Sequence, residues 1–298
     1  MRIVSVDACR SEKIQILLEF VLPWLHDWVI TCDRVMSSSP PTPPSSATPP
    51  RVLAHAELLK LKRWNTCTIA NGMEQILDGD PASLVNLEET HDFMPDMGPM
   101  VGYAMTVQIS GGDPDAKRDN PENFSSYREY LASVPGPKIV VVQDVDKPKC
   151  FGSIWGEVGA NVACTLGCVG TITDGAIRDL DEMKNAGFKS LARRLAVSHA
   201  HTWPLRWNCE VEVFGTKVSP GQLIHADKHG FIVIPQECQE GILEAARAMD
   251  DFECETVIPS AREQMGKSAS EILTGMDEAA GRFGSRAADR FGKSGEWK

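Results

Sequence analysis

Apolar positions recur at three- and four-residue spacing over residues 53–61 and 71–77, predicting two opening helices, with Thr66 and Thr68 as capping candidates ahead of the second. Residues 100–109 (MVGYAMTVQI) are rich in strand formers, and residues 138–142 (KIVVV) form the unbroken apolar run of a strand covered on both faces. Between them, residues 110–137 are polar and carry Gly111, Gly112, Pro114 and Pro121, with a short helix expected over 127–132. Residues 152–187 then predict a helix after Gly156, a strand through VGTIT, a turn at DGAIRD, and a second helix ended by Gly187. Cys164 and Cys168 fall four apart in the expected first helix. Further strands are read over 195–199 and 209–213, Gly215 and Gly221 punctuate hairpins, Gly230 precedes the buried-strand run FIVIP, and a helix is expected over 238–249.

Strands mixed with helices, with no internal repeat, argue one α/β domain spanning about 51–275. Residues 37–50 (SSSPPTPPSSATPP) cannot bury apolar surface and read as a linker, which leaves residues 1–36 as an appendage of unassigned role. Residues 276–298 are small, charged and glycine-rich and are expected to be loosely held.

Composition narrows the function classes. The chain of 298 residues is 42% hydrophobic and 24% charged, ordinary for a folded globular protein. Its net charge of -11 repels a phosphate backbone, so nucleic acid is not an expected partner. The apolar stretch 14–30 is interrupted by Glu19, Pro23, His26 and Asp27, too short and too polar to span a membrane or serve as a signal peptide. Nine cysteines without paired spacing suit reduced thiols, hence a reducing, cytoplasmic setting. Neither GxGxxG nor GxxxxGK[ST] occurs, so dinucleotide and P-loop readings lack their fingerprints.

The candidate chemistry lies in Glu157, then twenty residues, then the adjacent Arg178 and Asp179. A helix starting after Glu157 and a strand returning to Arg178 would bring the three side chains together. Two carboxylates can hold a hard divalent cation, a guanidinium can grip a carboxylate or carbonyl oxygen, and the helix-opening amides of Val158 and Gly159 can receive an anion. The spacing alone equally fits a surface Arg178–Asp179 pair after a turn, with Glu157 a solvated helix-start acid. His199 with His201, and His225 with His229 around Asp227, are metal-ligand candidates by type, but such histidines are more often satisfied by backbone groups and are left outside the metal site. Trp203 and Trp207 read as packing or subunit-contact residues.

The stretch WGEVGANVACTLGCVGTITDGAIRD resembles the signature of the RraA-like family, which includes 4-hydroxy-4-methyl-2-oxoglutarate and 4-carboxy-4-hydroxy-2-oxoadipate aldolases. The likeness extends to MPDMGPMVGYAMTVQ and to VEVFGTKVSPGQLIHADKHGFIVIP, covering about residues 58–248. It implies a layered αββα domain around a mixed sheet, and a metal-dependent pyruvate aldolase or oxaloacetate decarboxylase acting on a small 2-oxo acid. By the resemblance, Asp179 coordinates Mg2+ or Mn2+, Glu157 holds metal-bound water, and Arg178 stabilises the enolate oxygen. It also implies a homotrimer or hexamer with pockets at subunit borders, where an acid such as Glu253, Glu255 or Glu263 could be contributed. Other family members are non-catalytic regulators of a ribonuclease, which lack the acid that this chain keeps as Asp179; an enzyme acting on sugar acids through the same metal is a third reading. Glu157 stands where the aldolases carry Asp, Asn71 stands where many relatives have Asp, and 113–136 resembles an insertion; all three bear on the substrate more than on the reaction class.

Overall fold

The computed structural model describes residues 53–293, 295 and 297, all within the compact unit Pro50–Lys298. The appendage, the linker and the apolar stretch 14–30 lie outside the described residues.

Four parallel strands form the frame: β2 (Met100–Ser110), β3 (Lys138–Asp144), β4 (Cys168–Ile177) and β5 (Lys189–Leu195), side by side in the order β5-β4-β3-β2. The two-residue β1 (His91–Asp92) closes the β5 edge antiparallel. The other edge of β2 is shared: its first half pairs antiparallel with β9 (Leu223–Asp227), which hairpins to β10 (Gly230–Ile234), and its second half pairs with β6 (Trp203–Trp207) across a bulge at Gln108/Ile109. A small hairpin, β7 (Val211–Val213) and β8 (Thr216–Val218), turns at Gly215, whose φ of 75° suits glycine. The result is the expected mixed α/β sheet.

Ile139 to Val142 of the KIVVV run are apolar because β3 is buried on both faces, and the buried Lys138 that opens the strand donates from its Nζ to the Leu131 and Val134 carbonyls. Ile139 and Val141 point into a core with Ala104, Ile172, Leu191 and Phe231, while Val140 and Val142 point into another with Val107, Ile109, Trp155 and Phe188. Each such side chain contributes about 1.5–3 kcal/mol by leaving water. The second core is roofed by α4 (Asn123–Ala132), α5 (Glu157–Thr165) and α6 (Leu180–Asn185) through Tyr127, Leu131, Ala160, Ala163 and Met183. A further cluster joins α1 (His55–Leu61), α2 (Thr66–Ile76) and α7 (Ile242–Phe252) to β9 and β10; a single turn, α3 (Ala116–Asp119), precedes α4.

Several expectations are corrected. The second helix starts earlier, with Asn65 as its cap, because the Asn65 Oδ1 accepts from the Thr68 amide at 2.9 Å; Thr66 and Thr68 lie inside the helix. The helix expected over 127–132 begins at Asn123. DGAI is not a turn but the last four residues of β4, and Cys168 opens that strand rather than sharing a helix with Cys164. The strand expected over 195–199 ends instead at Leu195 and runs back to Lys189; that over 209–213 shortens to β7, and the helix expected over 238–249 becomes α7.

Most of the stretch expected to be loosely held is helical: α9 (Ala269–Phe291) opens at a Ser268/Glu271 capping box and ends at Gly292, with φ of 71°. Met276, Ala279, Phe283, Ala287 and Phe291 recur at helical spacing, and Phe283 and Ala287 are buried against Met249 and Val257; α8 (Ile258–Glu263) precedes this helix. Alanines that look featureless in composition are the best helix formers once such a stripe anchors them.

Candidate functional site at the carboxyl ends of the parallel strands

The parallel strands end together at Ser110, Asp144, Ile177 and Leu195, the edge where open α/β sheets collect ligands. From the end of β3 the chain returns along β4 as an extended segment, residues 152–156. The Ala176 amide donates to the Gly152 carbonyl at 2.9 Å, and the Arg178 amide to the Trp155 carbonyl at 3.3 Å, so this segment pairs with β4 as far as the bridge Trp155–Ile177. Gly175 is glycine for space, since a Cβ there would stand 2.6 Å from the Gly152 carbonyl oxygen.

This pairing delivers the start of α5 to the residues after β4. The Glu157 amide donates to the Asp179 Oδ2 at 3.0 Å, and the Arg178 Nε lies 3.7 Å from the same oxygen. A Cβ on Gly156 would fall 2.6 Å from the Asp179 Oδ2 and 3.1 Å from the Arg178 Nε, so both side chains pack onto bare backbone. Asp179 itself takes a left-handed conformation, φ 56° and ψ 51°, at the N-cap of α6. Its carboxylate makes no cap bond to α6 and is directed to α5 instead. A non-glycine residue held in that region costs on the order of 1 kcal/mol or more, and such strain concentrates at functional positions.

The Arg178 and Asp179 side chains therefore meet the backbone of Glu157. Val158 and Gly159 follow directly: the first amide of α5 is taken by Asp179, the Ala160 amide is the first to bond back, to the Gly156 carbonyl at 2.9 Å, and the Val158 and Gly159 amides make no hydrogen bond among the described residues. The site opens on the surface, with the Val158 side 73% exposed and the Arg178 and Asp179 side chains about one-third exposed, at 37% and 34%.

Beneath the site lies an acidic layer that no sequence motif marks. The buried Asp144 accepts from the Gly152 amide at 2.7 Å and the Asp146 amide at 3.0 Å; the buried Asp174 accepts from the Asp144 amide at 2.7 Å, with Lys147 Nζ 3.8 Å from its other oxygen. Burial is the main cause that pushes Asp174 up to about 6, raises Asp144, and lifts the neighbouring Cys150 thiol to about 11. The available signal was position: Asp144 closes an apolar strand at its carboxyl end.

The histidines left outside the metal site behave as core or loop groups. His225 is buried between the Thr66 hydroxyl at 3.0 Å and the Leu61 carbonyl at 3.3 Å, and burial lowers it to about 4; the His229 ring pairs with Asp227 at 3.0 Å. His199 and His201 lie in the loop before β6, not on a strand. Trp203 and Trp207 pack as expected, Trp203 against Phe124 and Trp207 against Tyr127. Asn71 and Glu253 approach each other at 3.4 Å, and Glu255 pairs with Arg286, within this chain.

Among the described residues, no group of three or more His, Cys, Asp or Glu side chains is arranged to enclose a metal ion. Asp179 supplies one carboxylate at this point, and the exposed Glu157 side chain extends from the first residue of α5, whose amide that carboxylate accepts. A set of one or two carboxylates is incomplete. That suits a hard cation that keeps most of its own water, as Mg2+ does on one or two carboxylates, and does not suit a closed four-ligand site.

Comparison with known proteins agrees with this frame. The Aldolase/RraA (RraA-like) family model matches residues 66–233, and the chain belongs to that family. It is 30% identical over 172 residues, 57% of this chain and 74% of the other, to a Halalkalibacterium halodurans protein provisionally named a 4-hydroxy-4-methyl-2-oxoglutarate aldolase. An uncharacterized protein from Pseudomonas syringae pv. tomato superposes at a TM-score of 0.56, with 22% identity over 78% of this chain and 99% of its own. Streptomyces coelicolor RraAS2, described as an unusual member of the RNase ES inhibitor RraA family, superposes at 0.50, with 19% identity over 68% and 96%. These two likenesses show the fold. No helix among the described residues is long and apolar enough to cross a membrane.

Proposed function

We propose that this protein is a divalent-cation-dependent lyase that releases pyruvate from a 4-hydroxy-2-oxo acid by retro-aldol cleavage, or from oxaloacetate by decarboxylation. The observation that carries the reading is the meeting of the Arg178 and Asp179 side chains with the Glu157 amide at the start of α5. In the retro-aldol reaction the 4-hydroxyl loses its proton, the C3–C4 bond breaks, and its electron pair moves to the 2-oxo oxygen; reprotonation at C3 gives pyruvate. Loss of CO2 from oxaloacetate delivers the same enolate.

Arg178 grips the 2-oxo oxygen, where negative charge develops. Asp179 holds the guanidinium at its Nε side and, with Glu157 acting through water, would hold a Mg2+ or Mn2+ ion. When bound, that ion supplies Lewis-acid stabilisation of the enolate. The Val158 and Gly159 amides receive the substrate carboxylate, aided by the positive end of α5.

The reading places the protein in the cytoplasm as a homotrimer or hexamer, whose neighbouring subunit would cover the exposed Val158 and Val197. It is supported by family membership and by the provisional name of the relative in H. halodurans. Steady-state pyruvate release from oxaloacetate and from 4-hydroxy-4-methyl-2-oxoglutarate tests it: turnover of either with Mg2+, abolished by chelator, is expected. Turnover of neither, or turnover indifferent to chelator, would reject it.

A further inference from the structure

The segment that carries α5 to Asp179 is pinned at its far end by two side chains, each making a hydrogen bond to a successive backbone amide. The Asp144 Oδ2 accepts from the Gly152 amide at 2.7 Å, and the Thr202 Oγ1 accepts from the Ser153 amide at 2.8 Å. These two residues approach from different elements: Asp144 ends β3, and Thr202 ends the loop between β5 and β6. We propose that Asp144 and Thr202 are positioning residues that clamp residues 152–153, and through them hold the Glu157 amide on the Asp179 carboxylate. The proposal rests on the lyase reading for its kinetic consequence, but not for its geometry.

Both clamp residues are themselves fixed. Asp144 is fully buried, and its second oxygen accepts from the Asp146 amide at 3.0 Å; its own amide donates to Asp174 at 2.7 Å. The Thr202 hydroxyl gives its proton to the His199 carbonyl, which leaves the oxygen lone pairs turned to Ser153, and the His201 amide ties the same loop to the Gly111 carbonyl at 3.0 Å. The approach is close: a Cβ on Gly152 would lie 3.0 Å from Asp144 Oδ2 and 3.2 Å from Thr202 Oγ1, pressing on both acceptors, and one on Gly111 would lie 2.5 Å from the Gly152 Cα, which leaves no room for it. Gly111 is held in turn by Asp146, which accepts from the Gly111 and Gly112 amides at 2.7 Å each.

From this anchor the segment has only three residues, 154–156, before Glu157, and its register with β4 is set by two bonds, Ala176 to Gly152 and Arg178 to Trp155. Freeing the Gly152–Ser153 end lets the segment slide relative to β4. The interactions that give way first are those at its other end, the Glu157-to-Asp179 bond and the seat of Arg178 on Gly156. Displacements of about 1 Å at reacting groups cost on the order of 100-fold in rate. A clamp remote from substrate should therefore act on turnover more than on substrate binding.

The test uses the full chain. Thr202→Val keeps shape and removes the hydroxyl, Thr202→Ser restores it, and Asp144→Asn leaves one acceptor oxygen where two are used. Amide hydrogen exchange over residues 152–158, without ligand, reads the clamp directly, and pyruvate release reads its kinetic effect. Expected is exchange at least about tenfold faster in Thr202→Val and Asp144→Asn, kcat lowered at least about tenfold with KM changed less than about threefold, and both restored by Thr202→Ser. Unchanged exchange in a folded Thr202→Val overturns the proposal, as does faster exchange with unaltered kcat. Should the wild type release no pyruvate, the lyase reading fails by itself, and exchange alone then decides the clamp: faster supports it, unchanged rejects it. Asp144→Asn is the variant at risk of misfolding, and the partly exposed Thr202 keeps the test open if it does.

Discussion

The Glu157 amide donates to the Asp179 Oδ2 at 3.0 Å across 22 positions of sequence, and this one bond joins the start of α5 to the residue that follows Arg178. It depends on the absence of a side chain at Gly156, because a Cβ there would sit 2.6 Å from the accepting oxygen. The backbone at Gly156 is fully extended, with φ −166°, so the requirement is for space rather than for an unusual conformation.

Gly156→Ala is therefore expected to fold and to lose function. The methyl group must displace the short Asp179 side chain and the Arg178 Nε, so kcat/KM for pyruvate release should fall about 100-fold, while Tm moves by only a few degrees. Far-UV circular dichroism melts beside the kinetics check this; wild-type kcat/KM in the variant would show that the packing is incidental.

Asp174 gives a pH-dependent prediction. Its folded value of about 6 lies above the unfolded value of about 3.9, so the folded state prefers the protonated acid. The stabilisation is complete below about pH 4, is lost as pH rises through 6, and is absent at neutrality. Asp174→Asn keeps an acceptor for the Asp144 amide and cannot ionise. The variant should be more stable than wild type at pH 7.5, by up to roughly 3 kcal/mol, with the gap closing towards pH 4. Denaturant midpoints at both pH values measure it; a gap that widens on acidification would contradict the sign.

His225 works in the opposite direction. Burial lowers it to about 4 from an unfolded value of about 6.5, so the folded state prefers the neutral ring. Its contribution is complete above about pH 6.5 and is lost as pH falls towards 4. A His225→Gln variant, less stable at pH 7 through the loss of its partners Thr66 and Leu61, should show a flatter fall of Tm between pH 6.5 and 4.5 than wild type. Parallel acid profiles would remove His225 as the cause.

Phe283→Ala tests the C-terminal helix. The ring is fully buried against Phe252, with centroids 6.1 Å apart, and its removal should cost about 3–5 kcal/mol. Chemical denaturation reads the loss; a change below about 1 kcal/mol would mean that α9 adds little to the fold.

What the sequence disclosed follows from which interactions are local. KIVVV announces a strand covered on both sides because burial is written in its composition, and a helix start at Glu157 with an Arg–Asp pair twenty residues on is legible because α5 and β4 are consecutive and lie side by side. The left-handed backbone of Asp179 is not legible, since no glycine marks it and the strain is imposed by pairing of residues 152–156 with β4. The strand character of Asp174–Ile177 is hidden for the same reason: DGAI reads as a turn by propensity, and tertiary pairing overrides propensity. The clamp of Asp144 and Thr202 joins residues 58 positions apart, and only the tertiary fold brings them to two successive amides. The C-terminal helix is masked by its small, charged composition, and its signal is the helical spacing of Met276, Phe283 and Ala287.

Pyruvate release by wild type, Asp179→Ala and Asp179→Gly, each with Mg2+ and with chelator, tests the central claim most directly. Glycine at 179 relieves the left-handed strain while removing the carboxylate, so stability should rise by about 1 kcal/mol over the alanine variant. The account predicts that both variants lose about 100- to 1000-fold in kcat/KM and fall to the chelated wild-type rate, whatever their stability. Variants that keep wild-type turnover and its response to Mg2+ would contradict it.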